Sequence, residues 1–222
     1  MPRLALTLSA FLILTFRLSA SACVAGATLA SYEALGVTGC TIGPQTVDDF
    51  TFSVVSSGGG AIPLADTDIT VTPAFGAGSF GVQFASTGFL VTGTGFVDYL
   101  IGYTWDSIPI HGMGDVLDPG SVEISSDGCV GFAFSGSSCS GTPVNVSVNP
   151  GQPTDFVAFS ATAVLGIRDN ISLNAMGGTA SFNGIENDAY VTPEPGSFVL
   201  AGLGLTMLAA RLRRRCFTAT NG

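Results

Sequence analysis

The chain contains no lysine, only seven arginines and a single histidine, against sixteen acidic residues. Six of the arginines stand near the ends: Arg3 and Arg17 at the front, Arg211, Arg213, Arg214 and Arg215 at the back. From Cys23 to Thr192 there remains Arg168 alone against fifteen carboxylates, a formal charge of −14. A body that acidic argues against nucleic acid and anionic lipid as partners, because both need clustered positive charge. Cations and neutral or basic polymers are left. No apolar run reaches the ~20 residues of an ordinary membrane span.

Catalytic patterns are missing too. There is no Gly-x-Ser-x-Gly turn, and the lone histidine, His111, falls in Pro109-Ile110-His111-Gly112-Met113-Gly114, a stretch expected to form a loop. A Ser-His-Asp triad therefore has no visible base held by a carboxylate. No cysteine pair has the Cys-x-x-Cys spacing of a zinc or redox site. Asp115, Asp118, Glu123 and Asp127 offer carboxylate pairs of the kind glycosidases use, yet any acidic surface does so. Asp48-Asp49 and Asp66-Thr67-Asp68 lack calcium-loop spacing. Neither catalysis nor a cofactor is expected.

What is present begins at the C-terminus. Pro193-Glu194-Pro195 precedes an apolar run from Ser197 to Ala210 and then the four arginines. At 1.5 Å per residue the run spans roughly 21 Å, short for a bilayer, but arginine stems snorkel and lengthen it, and clustered arginine holds that end in the cytoplasm. The two prolines remove backbone donors and keep the preceding segment extended, accessible to a protease. This arrangement resembles the PEP-CTERM sorting signal of exported bacterial proteins. The resemblance covers about the last thirty residues. It implies an exosortase as processing partner, with Pro193, Glu194 and Pro195 as recognition residues and Arg211, Arg213, Arg214 and Arg215 setting membrane topology.

The N-terminus agrees with export. Arg3, the apolar stretch Leu4–Phe16 and the small residues Ala20-Ser21-Ala22 form the three parts of a secretory signal, with cleavage after Ala22 at an Ala20-x-Ala22 site. The expected division is a signal peptide at 1–22, a β-sandwich ectodomain at 23–190 and a sorting signal at 191–222. The precursor would be anchored in the inner membrane and the product found in the cell envelope or extracellular matrix.

Cysteine placement fits an oxidising compartment. Cys23, Cys40, Cys129 and Cys139 fall in the exported part, and Cys216 lies beyond the arginines. Pairing Cys23 with Cys40 and Cys129 with Cys139 is the most local of three connectivities.

Between the signals the pattern is that of strands. Thr28, Leu29, Tyr32, Leu35 and Gly36 predict one short capped helix. After it, Phe50, Phe52 and Val54 alternate with polar residues, as do Ile69 and Val71, and Val97, Tyr99, Ile101, Tyr103 and Trp105. Ten or so short runs ending at Gly, Pro, Asn and Asp predict an all-β, antiparallel β-sandwich or jelly-roll-like domain. Phe50, Phe52, Val54, Phe84, Phe132, Phe134, Phe156 and Ile171 are expected in its core. Ser31-Tyr32-Glu33-Ala34-Leu35, Gly39-Cys40-Thr41-Ile42-Gly43 and then Phe50 and Phe52 are similar to the opening of a group of uncharacterised PEP-CTERM proteins, which supports the first disulfide and assigns no activity.

The favoured expectation is an exported envelope or matrix protein with a structural or interaction-mediating body. The alternative is a carbohydrate- or calcium-binding sandwich that meets extracellular polysaccharide, discriminated by whether Tyr99, Tyr103 and Trp105 face solvent. Asn145-Val146-Ser147 and Asn170-Ile171-Ser172 match the glycan-acceptor pattern, a frequent one.

Overall fold

A computed structural model describes residues 20–191, and the sorting motif, the apolar run, the arginine cluster and the leader before Ala20 lie outside them. The strands in chain order are β1 (Ser21–Ala22), β2 (Ala27–Thr28), β3 (Cys40–Ile42), β4 (Gln45–Gly58), β5 (Thr70–Phe75), β6 (Ser79–Ala85), β7 (Leu90–Gly93) and β8 (Phe96–Leu117). They continue as β9 (Ile124–Val130), β10 (Phe134–Ser135), β11 (Ser138–Cys139), β12 (Thr142–Val148), β13 (Thr154–Asn174), β14 (Gly178–Ser181) and β15 (Gly184–Val191). The one α-helix of the described residues, α1 (Leu29–Glu33), starts where the Thr28 hydroxyl accepts the Ser31 N–H and buries Leu29 and Tyr32.

Eleven strands make one curled sheet, antiparallel except for β1 against β3. Its geometry follows from β8 and β13, twenty-two and twenty-one residues long, which pair along nearly their whole length with register shifts between Ala158 and Val164. On one side of that irregularity β8 pairs β4 and β13 pairs β9, and on the other β8 pairs β15. Two layers result. The first runs β12–β9–β13–β8–β4–β3–β1, and the second β13–β8–β15–β6–β5–β2. Bulges bend strands and raise their twist, which lets two long strands serve both layers.

The layers face each other across Tyr103 of β8, whose ring stacks on Phe50 of β4 at 5.4 Å and lies 5.6 Å from Phe84 of β6. Tyr99, Tyr103 and Trp105 are all buried. They belong to the core and form no exposed binding strip. Phe50, Phe84 and Ile171 are buried as expected, and Phe52 and Phe134 are half-buried. Val54, Phe132 and Phe156 are exposed instead, at 39%, 54% and 49%. Phe156 shares the outward parity of Thr154 and Ala158, and Phe132 lies in the loop before β10. The Pro109–Gly114 stretch, expected as a loop, is continuous strand inside β8.

Disulfides join Cys23 to Cys40 and Cys129 to Cys139. By loop-closure entropy each stabilises by about 3 kcal/mol. They fit an oxidising environment.

Candidate functional site

Two polar constellations stand out, one sealed and one open. In the sealed one, Asn187 of β15 reaches across the layers. Its amide nitrogen donates to Asp115 Oδ1 at 2.9 Å and Asp169 Oδ1 at 3.1 Å, and lies 3.4 Å from Ser126 Oγ, while its carbonyl oxygen accepts the Tyr103 hydroxyl at 3.0 Å. Register explains the convergence: Asp115 faces Asn187 across β8 and β15, and Asp169 faces Ser126 across β13 and β9. The second oxygens of Asp115 and Asp169 have no hydrogen-bond partner. Burial pushes the Asp115 carboxyl up to about 7 and that of Asp169 well above its ordinary range, with Asp115 itself adding to the rise. Both residues are essentially inaccessible, so a substrate has no route to them.

The other carboxylates singled out in the sequence are dispersed. Asp118 accepts from Gln83, Glu123 from Ser147, and Asp127 from Arg168 and Asn145. Each of these three is held by its own partners, while Asp115 interacts with Asp169 in the sealed cluster. Among the described residues no three His, Cys, Asp or Glu side chains come together as a metal-holding group, so the calcium reading of Asp48-Asp49 and Asp66–Asp68 finds no support. His111 is half-buried on β8. Ala22 sits in β1, and exposed Ala22 and Ser21 pair with Thr41 and Cys40.

The open constellation is a cleft of about 450 Å³ on the outer face of the first layer. Thr51 of β4, Gly102 of β8 and Arg168 of β13 form its floor as one register row, which continues beyond the cleft to Asp127 of β9 and Asn145 of β12. Gly102 leaves a gap in that row, and the Thr51 hydroxyl donates to its carbonyl oxygen at 3.3 Å. Arg168 donates from Nη2 to Asp127 Oδ2 at 2.9 Å, and its guanidinium lies 4.7 Å from the centre of the Phe134 ring. The charge is thus neutralised and the planar group held flat.

Both walls are pinned. Ala133, Phe134 and Gly136 come from the loop closed by Cys129–Cys139, and Gly36 from the turn inside the segment closed by Cys23–Cys40. The first loop lies directly on β13: Gly166 N–H donates to Phe132 O at 3.1 Å, and a Cβ at Gly166 would meet the backbone of residues 132–134 at about 3 Å. At the other rim Asp49 takes φ of 53° where the β4–β8 register shifts, a left-handed conformation uncommon outside glycine that turns the chain over the cleft. Neighbouring Asp48 is pushed up to about 6, first by burial and then by Asp49 and Asp106.

No family model matches the chain, and no curated protein matches it. Two solved structures show a distant likeness. One is the carbohydrate-binding module TmCBM61 in complex with β-1,4-galactotriose, at 10% identity over 65% of this chain and 88% of that one, with a TM-score of 0.34. The other is the enzymatically active domain of bacteriophage CBA120 tailspike protein 4, at 12% identity over 68% of this chain and 20% of that one, with a TM-score of 0.32. Likeness this distant carries neither ligand nor activity across.

The cleft residues were not foreseen individually. Thr51, Gly102 and Arg168 lie far apart in the chain and share a row only through register. The one available signal was Arg168, the single base of an acidic body.

Proposed function

We propose that this protein is an exported, non-catalytic envelope or matrix protein that binds an uncharged carbohydrate in the Gly102 cleft. The carrying observation is the cleft itself: a polar floor beside an aromatic ring, with each wall belonging to a disulfide-closed segment. Sugars present hydroxyl groups around an apolar ring face, which Thr51, Thr104, Asp49 and the spare guanidinium N–H groups of Arg168 meet on one side and Phe134 on the other. Arg168 is committed to Asp127, and the body carries a formal charge of −14, so an acidic polysaccharide gains no free cation and is repelled.

In the same proposal the N-terminal leader exports the chain, and an exosortase trims it at the PEP-CTERM signal. The pattern of Pro193-Glu194-Pro195, apolar run and arginine cluster supports that step, and the two disulfides support an oxidising destination.

Calorimetric titration of the oxidised protein with neutral and uronate oligosaccharides tests the binding reading. At least one neutral oligomer is expected to bind and the uronates to stay silent. Phe134→Ala is expected to weaken binding about tenfold, the equivalent of ~1.4 kcal/mol. Silence across the neutral panel, or an unchanged affinity in Phe134→Ala, would remove the proposal.

A further inference from the structure

The loop that carries Phe134 lies against the first layer. Its neck is the end of the β9–β12 ladder, Val130 opposite Thr142, and beyond that neck residues 131–141 fold over β13. Within them Phe134 stands opposite Cys139 in the short strands β10 and β11. The row beneath, next to that of Arg168, runs Gly166, Cys129 and Pro143, and Gly166 lets the loop backbone come close. Cys129 is fully buried, whereas Phe132, Ala133, Ser135, Gly136 and Ser137 are exposed.

Such a loop has little to hold it. A two-stranded hairpin is marginal in water by itself, and this one has two residues in each strand. It is tied to the sheet by the Gly131 N–H on Val164 O at 2.9 Å, the Gly166 N–H on Phe132 O at 3.1 Å, the Phe134 ring against Arg168, and the Cys129–Cys139 bond. The other wall differs. Between Cys23 and Cys40, Leu29 and Tyr32 are buried, Tyr32 meets Phe50 with ring centres 5.0 Å apart, β2 pairs β5 and β3 pairs β4, so Gly36 is placed by packing as well as by its bridge. Each bridge joins a buried cysteine, Cys40 or Cys129, to a partly exposed one, Cys23 or Cys139, so both can be attacked.

We propose that Cys129–Cys139 is a redox latch on the Gly102 cleft, closed by oxidation and opened by a dithiol reductant, while Cys23–Cys40 only stabilises the chain. A thiolate of the dithiol bonds to Cys139 Sγ, and the bond to Cys129 breaks with its electron pair left on Cys129 Sγ, which takes a proton. The second thiol then closes on the first. Cys139 leaves as a thiol, the reductant leaves as a cyclic disulfide, and two electrons have passed to the cysteines. With the latch open, residues 131–141 hang from their neck and Phe134 leaves Arg168. That the cleft then loses its ligand rests on the carbohydrate reading above; the opening itself does not.

Amide hydrogen exchange in Cys23→Ala/Cys40→Ala protein, which keeps only the second bridge, tests the opening. Dithiothreitol is expected to speed exchange at Gly131 and Gly166 at least tenfold while the Tyr103 amide stays protected, and reoxidation to reverse the change. Before reduction this variant should match wild type at both glycines. Cys129→Ala/Cys139→Ala beside wild type makes the same comparison without reductant, should the first variant not fold. The same samples titrated with cellotetraose and maltotetraose read the consequence, a dissociation constant at least tenfold higher in each open form. Unchanged exchange at Gly131 and Gly166 on reduction, equal loosening at Tyr103, or loosening of the two glycines by loss of the first bridge alone would each overturn the latch. A wild type silent to both tetramers removes the carbohydrate reading and leaves the exchange result to decide.

Discussion

The exported protein is expected to melt on the order of 10 °C higher at pH 5 than at pH 8. Asp115 and Asp169 are buried with no cation beside them; burial pushes the Asp115 carboxyl up to about 7 and raises that of Asp169 well above its ordinary range. In the unfolded chain aspartate titrates near 4. Below that pH both states are protonated and the full stability is present. As pH rises past 4 the unfolded chain releases protons that the folded protein keeps, so stability falls by up to about 1.4 kcal/mol per pH unit per group until the folded carboxyls titrate. Asp48, Glu33, Glu186 and Asp188 are also raised, so they act in the same direction. Replacing both Asp115 and Asp169 by Asn should flatten most of the profile. Asn187→Leu should cost roughly 3 kcal/mol at pH 8, since it strands two buried acids without their shared donor. Thermal melts across pH 4–9 check this, and equal melting temperatures at pH 5 and 8 would refute the neutral-carboxyl description of the interior.

An all-or-none effect is expected outside the β body. If the proposed leader and arginine cluster direct export and topology, changing Pro193-Glu194-Pro195 to three alanines should leave export intact, because both are untouched. On the sorting reading proposed above it should also block C-terminal trimming, because it removes the residues a processing enzyme would recognise. In a host with its own exosortase the variant should accumulate in the inner membrane, heavier by the apolar run and tail. Identical mature mass and fractionation for both proteins would replace the sorting signal by a plain membrane anchor.

The strand class was legible because alternation fixes which residues share a face. It does not say which face is covered. Phe156 and Tyr99 both sit in alternating runs, yet Phe156 looks outward from the second layer and Tyr99 inward from the first. Strand β15 carries no strand signal in the sequence: Ile185-Glu186-Asn187-Asp188 puts polar groups on both faces and reads as a loop. It is nevertheless an interior strand of the sheet and supplies Asn187, which makes polar contacts tolerable inside. Asp115 was read as surface for the same reason, since a buried acid is visible only once its partners from β9, β13 and β15 are in place. The disulfides and the Thr28 cap, being local, were readable; the Gly102 cleft, assembled from β4, β8, β13 and two disulfide-closed segments, was not.

Whether the Gly102 cleft is the carbohydrate site is tested most directly by Gly102→Val. The added Cβ meets only the rotatable Thr51 hydroxyl and, more loosely, the Ile167 carbonyl oxygen, and valine suits a central strand, so the fold should persist while the floor of the cleft fills. Titrated with the neutral oligosaccharide that wild type binds, the variant is expected to lose at least tenfold in affinity with its melting temperature nearly unchanged. Wild-type affinity in a folded Gly102→Val protein would contradict the assignment.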